Sequence, residues 1–217
     1  MAAYTTVDDP EAFFNTKLYT GSSSTPNAIT GVGFEPDMVW TKNRDYDASH
    51  RLHDVLQGPT YSLVPDYNYI STTSYPFSSF DTDGYTINTT NNSLNSSSYD
   101  YVSWCWIAGT TTGIAGSPTI TPTSYSFNQA AGFSIVAYTA NNTSGATIPH
   151  GLGVIPDMAI IKCTSYAEDW TVYHTSVGIL KDMNLDIANA ASVTDNFYDT
   201  LPTSTLFYMN NGGEVNE

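Results

Sequence analysis

The stretch Gly31–Lys42, GVGFEPDMVWTK, returns at Gly151–Lys162 as GLGVIPDMAIIK, with Gly, Gly, Pro, Asp, Met and Lys at the same six of twelve positions. Gly31 and Gly33 supply turn geometry, and Pro36 has no N–H to give a ladder. Each copy therefore reads as a turn that feeds a strand, starting at Met38 in one and at Met158 in the other. The likeness runs outward from there. Upstream, Phe14–Thr20 lies against Phe133–Thr139; downstream and more loosely, Tyr61–Leu63 falls against Asp182–Asn184, and Asp83–Ile87 against Ser204–Tyr208. Self-similarity over this length predicts one β unit written twice.

The strands follow from local pattern. Met158–Ile161 is apolar at successive positions, as in a strand covered on both faces, while Asp182–Ile187 alternates strictly and predicts one wet face. In Tyr101–Trp106, YVSWCW, alternation puts Val102, Trp104 and Trp106 together, which reads as the core face of the strand that closes the first unit. Its counterpart falls after Asn216, so the second unit is expected to be one strand short. An open edge and an uncovered apolar groove would then be filled by a neighbouring chain, the N-terminal arm or further residues.

The expected organisation is an N-terminal arm (1–13) with a short helical turn opened by Asp8, Asp9 and Pro10, then a first β-sandwich unit (14–109). A Thr/Gly/Pro-rich linker (110–131), in which Thr119–Phe127 could pair as an edge strand, leads to a second, incomplete unit (132–217). The class is all-β: Tyr, Thr, Ser and Asn dominate, and strong helix formers are scarce.

Charge narrows the function. Six Lys and Arg stand against 21 Asp and Glu, a net charge of −15, which leaves no basic cluster for phosphate or anionic lipid. The N-terminus shows neither a basic nor an apolar signal region, and no run of 18 apolar residues occurs, so folding in a cytoplasm is expected. Cys105 and Cys163 are expected to be packed, reduced thiols.

GVGFEPDMVWTKNR, His53–Leu56 (HDVL), Phe80–Ile87 (FDTDGYTI) and YVSWCW together resemble a repeated domain of structural proteins from marine bacteriophages, cyanophages in particular. AGFSIVAYTANNTSGATIPHGLGVIPDMAIIK, followed by DWTVYH at Asp169–His174, resembles the same domain more closely. The resemblance implies a concanavalin-like or jelly-roll sandwich on a virion, in a tail-fibre, receptor-binding or structural role, and implies no catalytic residues.

The polar candidates point the same way. His150 sits among turn residues, but its repeat partner is Thr30, so a structural imidazole donating to a carbonyl is expected. His50, His53 and Asp54, with His174 at a comparable place, lack a further ligand at zinc-like spacing. Asp81 and Asp83 before Gly84 open like a calcium loop but lack its later ligands, so a hairpin turn is expected. Glu35, Glu168 and Asp169 are scattered acids with nothing to mark a glycosidase pair. No catalytic, cofactor-binding or metal-ligating residue is assigned. Tyr61, Tyr67, Tyr69, Tyr75, Tyr99 and Tyr125 sit among small polar residues, a composition that serves sugar stacking and strand building alike. The expected function is a non-catalytic virion protein that decorates a capsid or forms part of a tail fibre. Its partners would be other virion proteins and copies of itself, with no nucleic acid and no membrane insertion. The alternative is a carbohydrate-binding module that recognises a host-surface glycan, and a glycan-cleaving enzyme is a third reading.

Overall fold

The computed structural model describes residues 9–217, so the arm as far as Asp8 lies outside the described residues. The chain is all-β. The expected helical turn is a single 3-10 turn over Pro10–Ala12, where the Asp9 side chain accepts from the Glu11 N–H at 3.2 Å. Two compact units are present. Unit 1 holds the described part of Met1–Val64, with Ser71–Gly109 and Asn128–Phe133; unit 2 holds Pro65–Ile70, Thr110–Phe127 and Ser134–Glu217.

Unit 1 contains β1 (Phe14–Thr20), β2 (Asn27–Thr30), β3 (Met38–Asn43), β4 (Arg51–Asp54), β5 (Phe77–Asp81), β6 (Gly84–Ile87) and β7 (Asp100–Trp106). They form two antiparallel sheets, β1-β7-β3-β4 and β2-β6-β5. Between them Ile29, Val39, Phe77, Tyr85, Ile87 and Cys105 share one core, so the unit is sandwich-like.

The strands of the second copy are β8 (Ser124–Asn128), β9 (Phe133–Ala137), β10 (Ala146–Pro149), β11 (Met158–Ile161), β12 (Thr171–His174), β13 (Lys181–Asn184), β14 (Ser192–Val193) and β15 (Leu206–Met209). They pair as β11-β12-β13-β14, β10-β15 and β8-β9, and unit 2 has its own core of Ile148, Tyr173, Phe197, Phe207 and Met209. The stretch read as a linker thus carries a strand, β8, paired with β9. It also forms ladder bonds of its own, from the Ile120 N–H to the Thr147 carbonyl at 3.0 Å and from the Thr123 N–H to the Ala137 carbonyl at 2.9 Å.

The hydrogen bonds of the two copies correspond. Leu52 bridges Leu63 as Val172 pairs Met183, and Ser62 bridges Thr72 as Asp182 pairs Ser192. Phe77 and Phe197 occupy matching places, opposite Ile87 and Met209. These pairings correct the loose downstream match: Ser62 corresponds to Asp182 and Tyr85 to Phe207, each one residue away from the sequence alignment. A one-residue slip exchanges faces. Two strand faces also differ from the sequence pattern. Asp182, not the apolar alternates, is the buried member of β13, because Asn196 Nδ2 and Thr194 Oγ1 donate to it at 2.6 and 2.7 Å. In β7 the fully buried side chains are Tyr101, Ser103 and Cys105, while Val102, Trp104 and Trp106 are half-buried.

A buried asparagine closes each copy. Asn95 Oδ1 accepts from the Ser22 N–H and Asn27 Nδ2 at 2.8 and 2.7 Å, and its Nδ2 donates to the Ser24 and Thr89 carbonyls. Asn216 repeats the arrangement, accepting from the Asn141 N–H and donating to the Thr143 carbonyl, both at 3.0 Å. Just before each asparagine, the carbonyls of Leu94 and Val215 accept from the hydroxyls of Tyr19 and Tyr138 at 2.8 and 2.6 Å. Both asparagines are fully buried, so truncation strands several polar groups at once. Asn95→Ala is expected to cost about 3 kcal/mol in unit 1 and Asn216→Ala about 2 kcal/mol in unit 2. Native-state hydrogen exchange read separately over each unit checks this.

Candidate binding edge

In unit 1, β7 lies between β1 and β3 and bonds to both. Phe14 to Thr20 pair with Trp106 to Asp100 on one side, and Met38 to Asn43 with Trp106 to Tyr101 on the other. Its inward side chains finish the core chemically. The Tyr85 hydroxyl donates to Ser103 Oγ at 2.8 Å, and Tyr101 stacks on Tyr19 at 5.0 Å while donating to the Asn92 carbonyl.

Unit 2 has the flanking strands without this centre. β9 corresponds to β1 and β11 to β3, yet among the described residues β11 pairs only with β12 and β9 only with β8. Val136, Tyr138, Ala159 and Ile161 still lie against the core. On the other face Met158 is 48% and Ile160 40% exposed, so β11 is not the doubly covered strand that its apolar run predicts. The Ser134 hydroxyl on β9 is buried and has no hydrogen-bond partner. Among the described residues, β9 and β11 thus each keep one edge without a strand partner.

The residues singled out from sequence do not converge. His150 Nε2 donates to the Thr203 carbonyl at 3.1 Å, and its Nδ1 accepts from the Leu152 N–H at 3.2 Å. In unit 1 the same turn is held by Asp83, which accepts from the Gly31 and Gly33 N–H groups at 2.9 and 2.7 Å; those bonds, Gly33's first, lower its pKa. Both glycines have positive φ. Asp81 accepts from Ser79 and Thr86, and the Asp81–Gly84 turn joins β5 to β6. His50 Nδ1 accepts from Trp40 Nε1, His53 Nε2 donates to the Tyr75 carbonyl at 2.8 Å, and Asp54 accepts from the Leu56 and Gln57 N–H groups. At the place of Asp54, His174 Nδ1 accepts from the Ser176 N–H. Glu35 is exposed in unit 1; Glu168 and Asp169 are half-buried in unit 2. Cys105 and Cys163 are free thiols, and burial pushes Cys105 up to about 12. No cluster of three or more His, Cys, Asp or Glu suited to a metal ion occurs among the described residues.

Two groups escaped the sequence reading. Asn196 Nδ2 joins Asp182 to Glu214, reaching each at 2.6 Å, and Thr171 Oγ1 donates to Glu214. Asp182 is buried and its contacting oxygen already accepts two bonds, so this network holds β12, β13 and the segment before Asn216 together rather than facing a cleft. The second is Pro65–Ile70, which belongs to unit 2. The Trp170 indole donates to the Tyr67 carbonyl at 3.1 Å and Lys162 Nζ to the Asn68 carbonyl at 3.3 Å. Tyr67 and Tyr69 stack at 5.1 Å and both stay exposed. The tyrosines themselves were the only signal in the sequence.

A family model described as Domain of unknown function (DUF7483) matches residues 9–217. No curated protein and no solved structure matches the chain.

Two outcomes test this description. Ile160→Lys should cost less than about 0.5 kcal/mol in chemical denaturation, because the side chain it replaces is not packed under a neighbouring strand. Burial holds His53 down at about 3 from 6.5. The folded state therefore binds fewer protons than the unfolded one between those values. Stability is fully present above pH 6.5 and declines as pH falls toward about 3, by up to roughly 1.4 kcal/mol per pH unit. His53→Gln keeps a donor for the Tyr75 carbonyl and should flatten that part of the stability–pH curve relative to the parent.

Proposed function

We propose that this chain, which belongs to that family of unknown function, is a non-catalytic structural protein of a bacteriophage particle, acting by assembly and surface contact. The observation that carries the reading is β11, which pairs only with β12 among the described residues and exposes Met158 and Ile160: an unpaired strand edge beside apolar side chains is a surface suited to another polypeptide. The resemblance of the Gly31–Arg44, Tyr101–Trp106 and Ala131–Lys162 motifs to phage structural domains supplies the setting, a capsid decoration or tail fibre. On this reading the two units are tandem concanavalin-like or jelly-roll sandwiches, the second lacking its last strand, and the partners are other virion proteins and copies of this chain.

Against enzymatic activity stands the placement of the acids weighed for a glycosidase pair: Glu35 lies exposed in unit 1, whereas Glu168 and Asp169 are sequence neighbours, half-buried in unit 2.

A carbohydrate-binding module is favoured by one observation, the exposed Tyr67–Tyr69 stack in a segment rich in small polar residues. The two readings predict different results. Mass spectrometry of purified particles should find the chain as a stoichiometric component, and its absence defeats the virion reading. On a glycan array the parent should show no binder that Tyr67→Ala with Tyr69→Ala abolishes; such a binder would establish the second reading instead.

A further inference from the structure

We infer that unit 1 carries a binding site for one neutral sugar ring at the Thr20 end of β1. The Tyr46–Tyr99 stack is its platform, and a cavity lined by Leu18, Tyr19, Thr20, Arg44 and Asp100 supplies its polar groups. The inference is independent of the assembly reading, because it uses no residue of unit 2.

The platform is fixed from within its own loop. Asn43 Oδ1 accepts from the N–H groups of Asp45 and Tyr46, both at 2.9 Å, and Asn43 Nδ2 donates to the Asn92 carbonyl at 2.6 Å. The Ala48 N–H donates to the Tyr46 carbonyl at 2.8 Å, and Lys42 Nζ donates to the Ala48 carbonyl. A loop set before the ligand arrives lowers the cost of binding. Tyr99 stacks with Tyr46 at 5.2 Å and 23°, yet Tyr46 stays 48% exposed and neither ring belongs to the core of unit 1. An aromatic surface is presented here rather than buried.

The polar groups are tied to the same loop. The Arg44 N–H donates to the Asp100 carbonyl at 2.8 Å, and the Asp100 N–H donates to the Asp45 carboxylate. Thr20 Oγ1 donates to Asp100 Oδ1 at 2.6 Å; among the described residues Asp100 Oδ2 and the exposed Arg44 guanidinium have no partner. One acceptor and one donor thus line a single cavity beside an aromatic pair. A pyranose matches that set, because its neighbouring hydroxyls both donate and accept while its C–H face covers an aromatic ring. The cavity, about 210 Å³, holds the volume of roughly seven waters, which suits one ring rather than a chain.

Charge narrows the class. Asp45, Asp47 and Asp100 outnumber Arg44 around the platform, in a chain of net charge −15, which disfavours phosphate-bearing ligands and anionic sugars. Unit 2 lacks the site: Tyr166, the counterpart of Tyr46, is 67% exposed, but Thr164 stands for Arg44 and no ring stacks with Tyr166 among the described residues.

Saturation-transfer difference NMR of the 217-residue chain tests the inference, with methyl pyranosides of glucose, galactose, mannose and N-acetylglucosamine each at about 10 mM. At least one should receive transfer with a Kd of about 1 mM, and the methyl glycoside of N-acetylneuraminic acid should receive none. In the parent chain, amide shift changes on titration should map to residues 18–20, 44–46 and 99–100. Tyr46→Ala and Arg44→Met should each weaken binding about tenfold. Tyr46→Phe and Tyr166→Ala should keep it, as should Tyr67→Ala with Tyr69→Ala. Both altered side chains are exposed, so thermal unfolding of the weakened variants should match the parent. Transfer to none of the four neutral glycosides, or shift changes confined to other residues, overturns the inference. So does equal transfer to the anionic sugar, or a loss of binding in the Tyr166 variant or the Tyr67 and Tyr69 pair.

Discussion

The constraint on which each unit depends is the strand position between its first and third long strands. A strand there is hydrogen-bonded on both sides and sits over the middle of the core. β7 fills it in unit 1, and its inward residues are chosen by what lies beneath: a hydroxyl for Tyr85, an aromatic ring for Tyr19, a small thiol beside Val39. In unit 2, among the described residues, β11 pairs only with β12 and β9 only with β8; Met158 and Ile160 of β11 are exposed, and the Ser134 hydroxyl of β9 is buried without a bond.

Around that position the two copies keep backbone pairing and exchange side-chain chemistry. One turn is held by Asp83 reaching two glycine N–H groups, the other by His150 bonding to its own loop and to Thr203. Lys42 and Lys162 keep the same task of donating to carbonyls just beyond their strands, at 2.6 Å to Ala48 and 2.7 Å to Glu168. Asn95 and Asn216 keep the bonds to the loop after the first strand, accepting from the Ser22 and Asn141 N–H groups and donating to the Ser24 and Thr143 carbonyls. What persists through the duplication is whatever satisfies buried backbone, because an unpaired buried N–H or carbonyl costs more than an altered surface contact.

This separates what the sequence could tell from what it could not. The turn-to-strand signal of Gly-x-Gly and Pro-Asp-Met was legible because it is set by backbone geometry. Faces were less legible. In YVSWCW, Val and the two tryptophans carry more apolar area than Tyr, Ser and Cys, yet the Ser and Tyr hydroxyls find buried partners, so the polar alternates go inside. Asp182 is buried for the same reason. The downstream register slipped by one because the spacing between copies is not constant. Asn196, Thr194 and Glu214 are far from Asp182 in sequence, and nothing local announces that they meet it.

The same principle bears on function. A carboxylate pair that cleaves a glycosidic bond must face substrate across an open cleft. Asp182 and Glu214 come close enough to share one Asn196 amide hydrogen-bond donor, but Asp182 is buried and its contacting oxygen already accepts from Thr194 as well. Such a pair cements strands. Among the described residues, β9 pairs only with β8 and β11 only with β12, which leaves one edge of each without a strand partner. Backbone edges recognise other backbones and select among them by the alternate side chains that must fit beneath.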